Sequence, residues 1–478
     1  MVRLKDQSGA VKGGPISGSD FLQLRAEDAP VKGLTAWLTA GLRDAIAGNR
    51  LASGARLPAT RMLAADLKIS RGVVVEAYQR LIDEGLATGR TGAGTTVIGN
   101  THKSDRSSDR RKALDGIRLP LPPSDEIDID LSPGVPDLSA FPRAQWLRAE
   151  KAVLDEITSQ DLGYGDPGGT PRLRAELIGW LRRTRGIRAE PDDVIVVGGV
   201  AQALALLAQT LRRAGVTAAA VEDPGSRGAR DQMAHWGVRP EAVPVDDEGI
   251  RVDRITQEAA VLTPAHQFPT GVVLSPARRR ALLDWGGLVV EDDYDAEHRY
   301  DRAPVAALQG SAPERVAYAG SVSKSLAPGM RLGWLIAPRR LQAALLEAKH
   351  DSDLGNPAIP QLVLARLLAS GDYERHLRLV RSRQRRRRDA LLAGLRQHLP
   401  HATVTGVAAG LHLLILLPGP IPDTRLAEQA AASGVLVHPL SWHRLEPGAP
   451  GLVLGYAAQP PDRLAEAAQR LGRALTPP

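Results

Sequence analysis

Three short stretches of the chain hold residue types at spacings that suit bond-making chemistry. The first is SVSKSLAPGMRLGW (321–334), with a lysine in a Ser-rich strand-to-loop junction and an arginine seven residues on. Lys324 there can form a Schiff base with an aldehyde. Ser321, Ser323 and Arg331 can hold a phosphate by hydrogen bonds and a charge-assisted fork. Read alone, the same motif also suits an ordinary solvent-facing lysine in a turn. The second stretch is VVEDDYD (289–295), acidic residues directly after an apolar strand. That position is the carboxyl end of a sheet, where α/β proteins put their ligands. A carboxylate there can keep a pyridine nitrogen protonated, which makes a bound pyridine an electron sink. Asp292 is the candidate for that role and Tyr294 for a contact to the ring's phenolate oxygen. A solvated loop is the plain alternative. A metal site is disfavoured, because no histidine or further carboxylate stands at ligand spacing.

The third stretch is VVGGVAQAL (196–204), where glycines open a helix after a strand. Free N–H groups at Val200, Ala201 and Gln202 would cradle the same phosphate. The loop TPAHQFPTG (263–271) adds a constrained Pro-Thr-Gly turn, and with it His266 joins the candidate binding residues. Together these pieces describe a site for a ligand that carries an aldehyde, a phosphate and a pyridine ring, with no separately assigned catalytic residue.

Composition sets limits on everything else. With 478 residues, 43% of them hydrophobic and 24% charged, two or three globular domains are expected. The chain has no cysteine, which excludes disulfides, thiolate metal sites and a cysteine nucleophile. A formal charge of +7 points to an anionic partner such as nucleic acid. The opening MVRLKDQSGAVKGG has no apolar core of a secretory signal. The uncharged run Val194–Leu211 is broken by Gly198 and Gly199 and holds Gln202, Gln209 and Thr210, so it reads as strand, loop and helix. A soluble, cytoplasmic protein without a membrane partner is the expectation.

Three regions follow from the shifts in composition. Residues 99–125, rich in Ser, Asp, Arg, Lys and then Pro, read as a linker. They divide a small module, residues 20–98, from a large one, residues 126–478. In the large module VIVV (194–197), AAAVE (218–222), AAVLTP (259–264), LVVEDDY (288–294) and RVAYAGS (315–321) alternate with helix-length segments. That alternation predicts an α/β fold with a mostly parallel sheet covered on both faces. The part after about residue 371, with LHLLILL (411–417), predicts a smaller α+β lobe.

In the small module Leu34, Leu38, Leu42 and Ile46 recur every four residues up to Gly48. A second helix follows Pro58. Ser70 caps a third, RGVVVEAYQRLIDEG, with Val73, Ala77 and Leu81 inward and Gly85 as its stop. LATGRTGAGTTVI then supplies two β-prone pieces around a glycine-rich tip. Three helices and a hairpin describe a winged helix-turn-helix suited to double-stranded DNA, with a plain three-helix module whose arginines are solvated surface charge as the alternative. The candidate DNA contacts are Arg61, Ser70, Arg71, Gly72, Gly92 and Gly94. Between Phe21 and Ile98 there are ten Lys/Arg against seven Asp/Glu, so the charge of this module says little by itself.

RLPATRMLAADLKISRGVVVEAYQRLIDEGLATGRTGAGTTV closely resembles the DNA-binding domain of the GntR family, with Gly72 where that family more often has a polar residue. The order and spacing of the other motifs resemble the fold type I aminotransferases, and the combination resembles the MocR subfamily of GntR regulators. The resemblance implies a head-to-tail homodimer that binds operator DNA and uses an aminotransferase-like domain as a sensor. It implies pyridoxal phosphate on Lys324, Asp292 at the pyridine nitrogen, Tyr294 at the ring oxygen and Arg331 at the phosphate. Three positions depart from working aminotransferases. Phe268 stands where an asparagine commonly precedes Pro-Thr-Gly, Ser226 where related regulators often carry a stacking aromatic, and Val453 where an arginine would bind a substrate carboxylate. These departures favour a regulator that senses the cofactor itself, a signal of vitamin B6 supply, or an amine or amino acid. The competing reading is an active aminotransferase that also binds DNA. Seven arginines among residues 378–388 suit either a second DNA contact on the large module or, as favoured here, a helix whose charges meet solvent or nearby acids.

Overall fold

The computed structural model describes residues 30, 33–48, 50–90, 94–98, 127–300, 305–406 and 408–475. The whole stretch 99–125 and Gly92 at the hairpin tip therefore lie outside the described residues. The chain divides into two compact units, before and after the junction of Leu121 and Pro122.

In the first unit the leucine repeat forms helix α1 (Leu34–Ala47), and Leu38, Leu42, Ala45 and Ile46 enter the core. Helix α2 (Thr60–Asp66) contributes Leu63 and Ala64. Helix α3 (Arg71–Asp83) starts where the Ser70 hydroxyl accepts the Val73 amide at 3.4 Å, a side-chain cap for an otherwise orphaned donor. One expectation needs correcting here. The fully buried valine is Val74, which lines up with Ala77, Tyr78 and Leu81, whereas Val73 is only half-buried. The three-valine run carries no period of its own, so the face was fixed by packing. The Tyr78 hydroxyl donates to the Pro58 carbonyl at 2.9 Å, and Arg43 grips Glu84 through two nitrogens at 2.7 and 2.6 Å. Gly85 turns the chain at φ +75°, and β1 (Ala87–Arg90) pairs antiparallel with β2 (Gly94–Val97).

The second unit is built on one sheet. After β3 (Ile129–Asp130) its strands are β4 (Val194–Val197), β5 (Ala218–Asp223), β6 (Arg239–Asp246), β7 (Gly249–Ile250), β8 (Ala259–Leu262), β9 (Leu288–Asp293), β10 (Val316–Ser321) and β11 (Gly333–Ile336). Their order across the sheet is β4-β11-β10-β9-β8-β5-β6-β7. The pairs from β10 to β6 are parallel; β11 runs against both of its neighbours. Strand β4 therefore points the same way as β10, and the carboxyl ends of β4, β5, β8, β9 and β10 share one edge. Both faces are covered, which is why these strands read as continuous apolar runs. On one face Val194, Val196, Tyr318 and Trp334 pack with Trp180; on the other Ile195, Val197, Ala317 and Ala319 pack with Leu204 and Leu207 of the helix Val200–Arg213.

The C-terminal lobe holds a second, antiparallel sheet. Its strands β12 (Thr403–Thr405), β13 (His412–Leu416), β16 (Gly451–Gly455) and β15 (His438–Pro439) lie in that order, while β14 (Val435–Leu436) pairs with β3. The helices Asp372–His398 and Pro461–Leu475 cover one face through Leu391, Leu395, Leu464 and Leu471. The arginine run lies on the first of these helices. Arg383 and Arg387 both bridge Asp137 at 2.9 Å, and Arg381 donates to the Glu297 carbonyl at 3.0 Å. Part of the run is therefore internal bracing. No helix among the described residues is long and apolar enough to cross a membrane.

Candidate functional site

The alternation of side chains along β9 decides which carboxylate can serve a ligand. Asp293 turns to the helical side, where Arg185 donates to it at 2.7 Å and the Tyr318 hydroxyl at 2.5 Å. Glu291 accepts the Leu308 and Gln309 amides. Asp292 points the other way. It is 9% exposed, and its Oδ1 has no hydrogen-bond partner. Burial, reinforced by the charges of Asp293 and Asp295, pushes its carboxyl up to about 7. A buried carboxylate oxygen without a partner is costly unless a ligand completes it.

Lys324 follows β10 in the loop beyond Ser321. Its Nζ donates to the Gly134 carbonyl at 2.5 Å. Burial pulls its ammonium below the usual lysine range, opposed by the carboxylates of Asp292 and Asp295. An amine shifted in that direction is closer to the neutral form that attacks a carbonyl. Tyr294 comes just after β9, with its hydroxyl 3.1 Å from His266 Nδ1; that nitrogen is also 2.8 Å from Asp295 Oδ2. Burial and the Asp295 charge hold the Tyr294 phenol well above its ordinary range.

A second set of groups converges at the turn after β4. Gly199 takes φ +114° and opens the helix Val200–Arg213. The Arg331 guanidinium lies over this turn; a Cβ added to Gly199 would come within 3.5 Å of it, and one added to Gly198 within 3.6 Å. Arg331 itself adopts φ +50°, left-handed geometry that is uncommon for a side-chain-bearing residue. Ser321 ends β10, and its hydroxyl accepts the Ser323 amide at 3.3 Å. Val200 and Ala201 occupy the first helical turn, where amides lack intrahelical partners. Gln202 differs from expectation. Its amide is spent on the Gly199 carbonyl, and its side chain bonds the Gly198 amide at 2.7 Å and Asp353 at 2.7 Å. It braces the turn.

An orphaned carboxylate, a lysine near it, a phenol, and an arginine over a glycine-opened helix form a donor set that fits pyridoxal phosphate in type and number. The loop 263–271 is braced from beneath. Glu222 accepts the Thr263 amide at 3.0 Å and its hydroxyl at 2.7 Å, and Gln267 Oε1 accepts from Thr270. Ser226 caps the helix Arg227–His235 by accepting the Ala229 amide at 3.2 Å, which explains a small hydroxyl in that place. Val453 is fully buried against Leu414 and Leu440. Arg230, an alternative cation for a ligand carboxylate, donates to the main-chain carbonyls of His443 and Trp442.

Sequence reasoning missed several contributors. Gly134 carries no local signal, because its contact to Lys324 spans 190 residues. Asp295 was visible as part of the acidic run, but only the fold shows that it orients His266. A wall of rings was also missed: Phe268 lies 4.9 Å from His412 and 5.0 Å from His443, which stacks on His438 at 5.8 Å. His438 is the register partner of Val453 across β15 and β16.

In the first unit the candidate DNA residues gather around the start of α3. Arg61 and Arg71 are exposed, and Arg71 Nε reaches the Thr60 hydroxyl at 3.4 Å. Gly72 is exposed on the first turn of α3. Gly94 holds φ +87°, left-handed geometry that favours glycine, with the mobile Arg56 guanidinium packed over it.

Fold and site together define a class of protein: a winged helix-turn-helix head joined to an aminotransferase-type domain. Residues 35–97 match the bacterial regulatory proteins of the gntR family, and residues 126–471 match the aminotransferase class I and II family. The chain is 32% identical over 455 residues to the "Probable rhizopine catabolism regulatory protein MocR" of Rhizobium meliloti, covering 91% of this chain and 92% of that one. It is 33% identical over 440 residues to the HTH-type pyridoxine biosynthesis transcriptional regulator PdxR of Corynebacterium glutamicum, covering 89% and 92%. Among solved structures it is similar to a kynurenine aminotransferase of Pyrococcus horikoshii, with a TM-score of 0.68, 26% identity, and coverage of 77% of this chain and 94% of that one. The chain belongs to the MocR-type family of GntR transcriptional regulators: a DNA-binding regulator that carries an aminotransferase-like domain.

Proposed function

We propose that this regulator binds pyridoxal 5′-phosphate through Lys324 and uses its occupancy to control operator binding, acting as a homodimer in the cytoplasm. The observation that carries the reading is the unpartnered, buried Asp292 Oδ1 beside Lys324. When bound, the cofactor supplies an aldehyde for the lysine and a ring nitrogen that a carboxylate can pair. Asp292 holds a proton at that nitrogen. Tyr294, oriented by His266 and Asp295, offers its hydroxyl to the ring oxygen, and Arg331 with the Val200 and Ala201 amides, Ser321 and Ser323 holds the phosphate.

The cofactor itself is the effector in this reading. Val453 is apolar, Arg230 is committed to main-chain carbonyls and Arg227 pairs with Asp231 at 3.4 Å, which weakens a site for a substrate carboxylate, and Phe268 withdraws an amide from the ring oxygen. The named role of the PdxR relative, pyridoxine biosynthesis, suits a sensor of vitamin B6 supply. The same departures weigh against an active aminotransferase. Differential affinity of the loaded and empty dimers for DNA would link the two modules.

Pyridoxal phosphate added to the purified protein should raise a violet absorption band, and Lys324→Ala should abolish it. Operator affinity should change with the same cofactor titration. Equal affinity with and without cofactor would refute the sensing role, and steady turnover of an amine with a keto acid would restore the aminotransferase reading.

A further inference from the structure

The outer stripe of α3 is only partly polar. Arg71, Gly72, Val75, Glu76 and Gln79 are its exposed residues through the first two and a half turns. The polar groups of the later turns are engaged along the helix: Glu76 pairs with Arg80 at 2.8 Å, and Gln79 donates to Asp83 at 3.0 Å. Val75 is different. It is 47% exposed, while Val74, Ala77, Tyr78 and Leu81 supply the core face of the helix. It sits one turn beyond Arg71 and three residues beyond Gly72, on the same strip of surface.

Gly72 has no backbone reason to be glycine. It lies within the helix without a positive φ, and a Cβ would have only the Ser70 hydroxyl within 4 Å, at 3.8 Å. Glycine weakens a helix, so its effect here is clearance above Val75 rather than backbone freedom. In a helix-turn-helix the second helix of the motif, here α3, presents its first turns to the major groove. The one apolar group that base edges show there is the thymine 5-methyl. Val75 has no donor for a phosphate and none for a base nitrogen or oxygen.

We infer that Val75 reads a thymine methyl group in the operator, with Gly72 providing the space for that base to approach. This inference rests on the DNA-binding reading of the head. It assigns part of the sequence preference to a position that carries no polar group.

The test begins by selecting binding sites from a random duplex pool with the full chain. Each thymine of the selected site is then replaced singly by deoxyuridine, which removes only the methyl, and affinity is read by fluorescence anisotropy. One thymine per half-site should prove sensitive, with binding weakened about fourfold, the worth of burying one methyl group. Val75→Ala should bind thymine and uracil equally at that position while keeping its response to changes elsewhere. Alanine favours the helix, and an unchanged melting temperature verifies the fold of this variant. A site insensitive to every uracil, or a Val75→Ala protein that keeps the same sensitivity, would overturn the inference while leaving DNA binding intact. A pool that enriches no sequence would overturn the DNA-binding reading instead, and the inference with it.

Discussion

Asp292 is a poor residue for stability and a good one for binding, and those two properties can be measured against each other. Its carboxyl titrates near 7 in the folded chain because burial and neighbouring acids disfavour the charged form. In the unfolded chain it returns to about 3.9. Between those values the folded state holds the extra proton. The contribution of Asp292 to stability is therefore full below about pH 4 and is lost as pH rises towards 7. Asp292→Asn removes the ionisation. The cofactor-free variant should melt a few degrees higher than the parent at pH 8, with the difference vanishing near pH 4. The same variant should bind pyridoxal phosphate at least about tenfold more weakly, since a charge-assisted hydrogen bond is lost. Differential scanning calorimetry reads the first effect and absorbance titration the second. A variant equally stable at pH 8, or one that binds the cofactor normally, would remove Asp292 from the role given to it. At the same scale, Arg71→Ala should weaken binding to all DNA sequences and lower the salt slope by about one, if the guanidinium meets a phosphate. A loss confined to one base pair would assign Arg71 to a base edge.

Strands β4, β5, β8, β9 and β10 were legible in the sequence because each is largely buried on both faces and opens on a short apolar run, which in β5 and β9 ends in acidic residues. Most of the proposed ligand groups sit at the ends of those strands, so the site was largely legible too. What could not be read was set by pairing across the chain. Strand β11 lies inside the large sheet but follows the Arg331 turn without an alternation of its own. The ring wall on the second sheet was likewise invisible, since His412 and Phe268 are far in sequence from His438 and His443 and meet them only through β13, β15 and the turn after β15. These imidazoles are buried. His412 and His443 are pulled down to about 3 and His438 to about 4, by burial first and by neighbouring positive groups for the former two. His443 also faces Arg230 and Arg227. A histidine whose pKa is lowered by folding leaves the unfolded chain with the extra proton below about 6.5, so stability falls as pH drops from there. Replacing His443 with phenylalanine keeps a ring beside Phe268 and removes that liability. The variant should gain on the parent by about 2 kcal/mol on going from pH 7 to pH 5, at 1.36 kcal/mol per pH unit below 6.5. Urea unfolding at the two pH values checks it, and a gain that does not depend on pH would mean that His443 is accommodated in another way.

The overall charge of +7 pointed towards an anionic partner, yet the arginine run that contributes to it partly braces Asp137 and the Glu297 carbonyl. Whole-chain charge was therefore a weaker guide than the capped helix and its arginines. Apolar exposure is the more informative surface property. The helix Arg143–Glu156 shows Leu147 and Leu154 to solvent seven residues apart, on one face, at 67% and 52% exposure. Leu162, Tyr164 and Leu354 are exposed along an adjoining groove of about 1280 Å³ that reaches Asn356, whose side chain donates to the Arg331 carbonyl. Large apolar side chains left exposed together beside a groove call for a partner. A second copy of the chain is the partner that a reader of paired half-sites needs, since two heads must be held at a fixed spacing along the duplex. The intact protein should sediment as a dimer at micromolar concentration. The double variant Leu147→Asp, Leu154→Asp should sediment as a monomer that keeps the far-ultraviolet circular dichroism of the parent, because neither side chain enters the core. Loss of the dimer removes simultaneous engagement of two half-sites, so its operator affinity should fall by roughly a hundredfold or more, while affinity for a single half-site stays near that of the parent. A parent protein that sediments as a monomer, or a double variant that remains a dimer, would place the interface elsewhere or remove it.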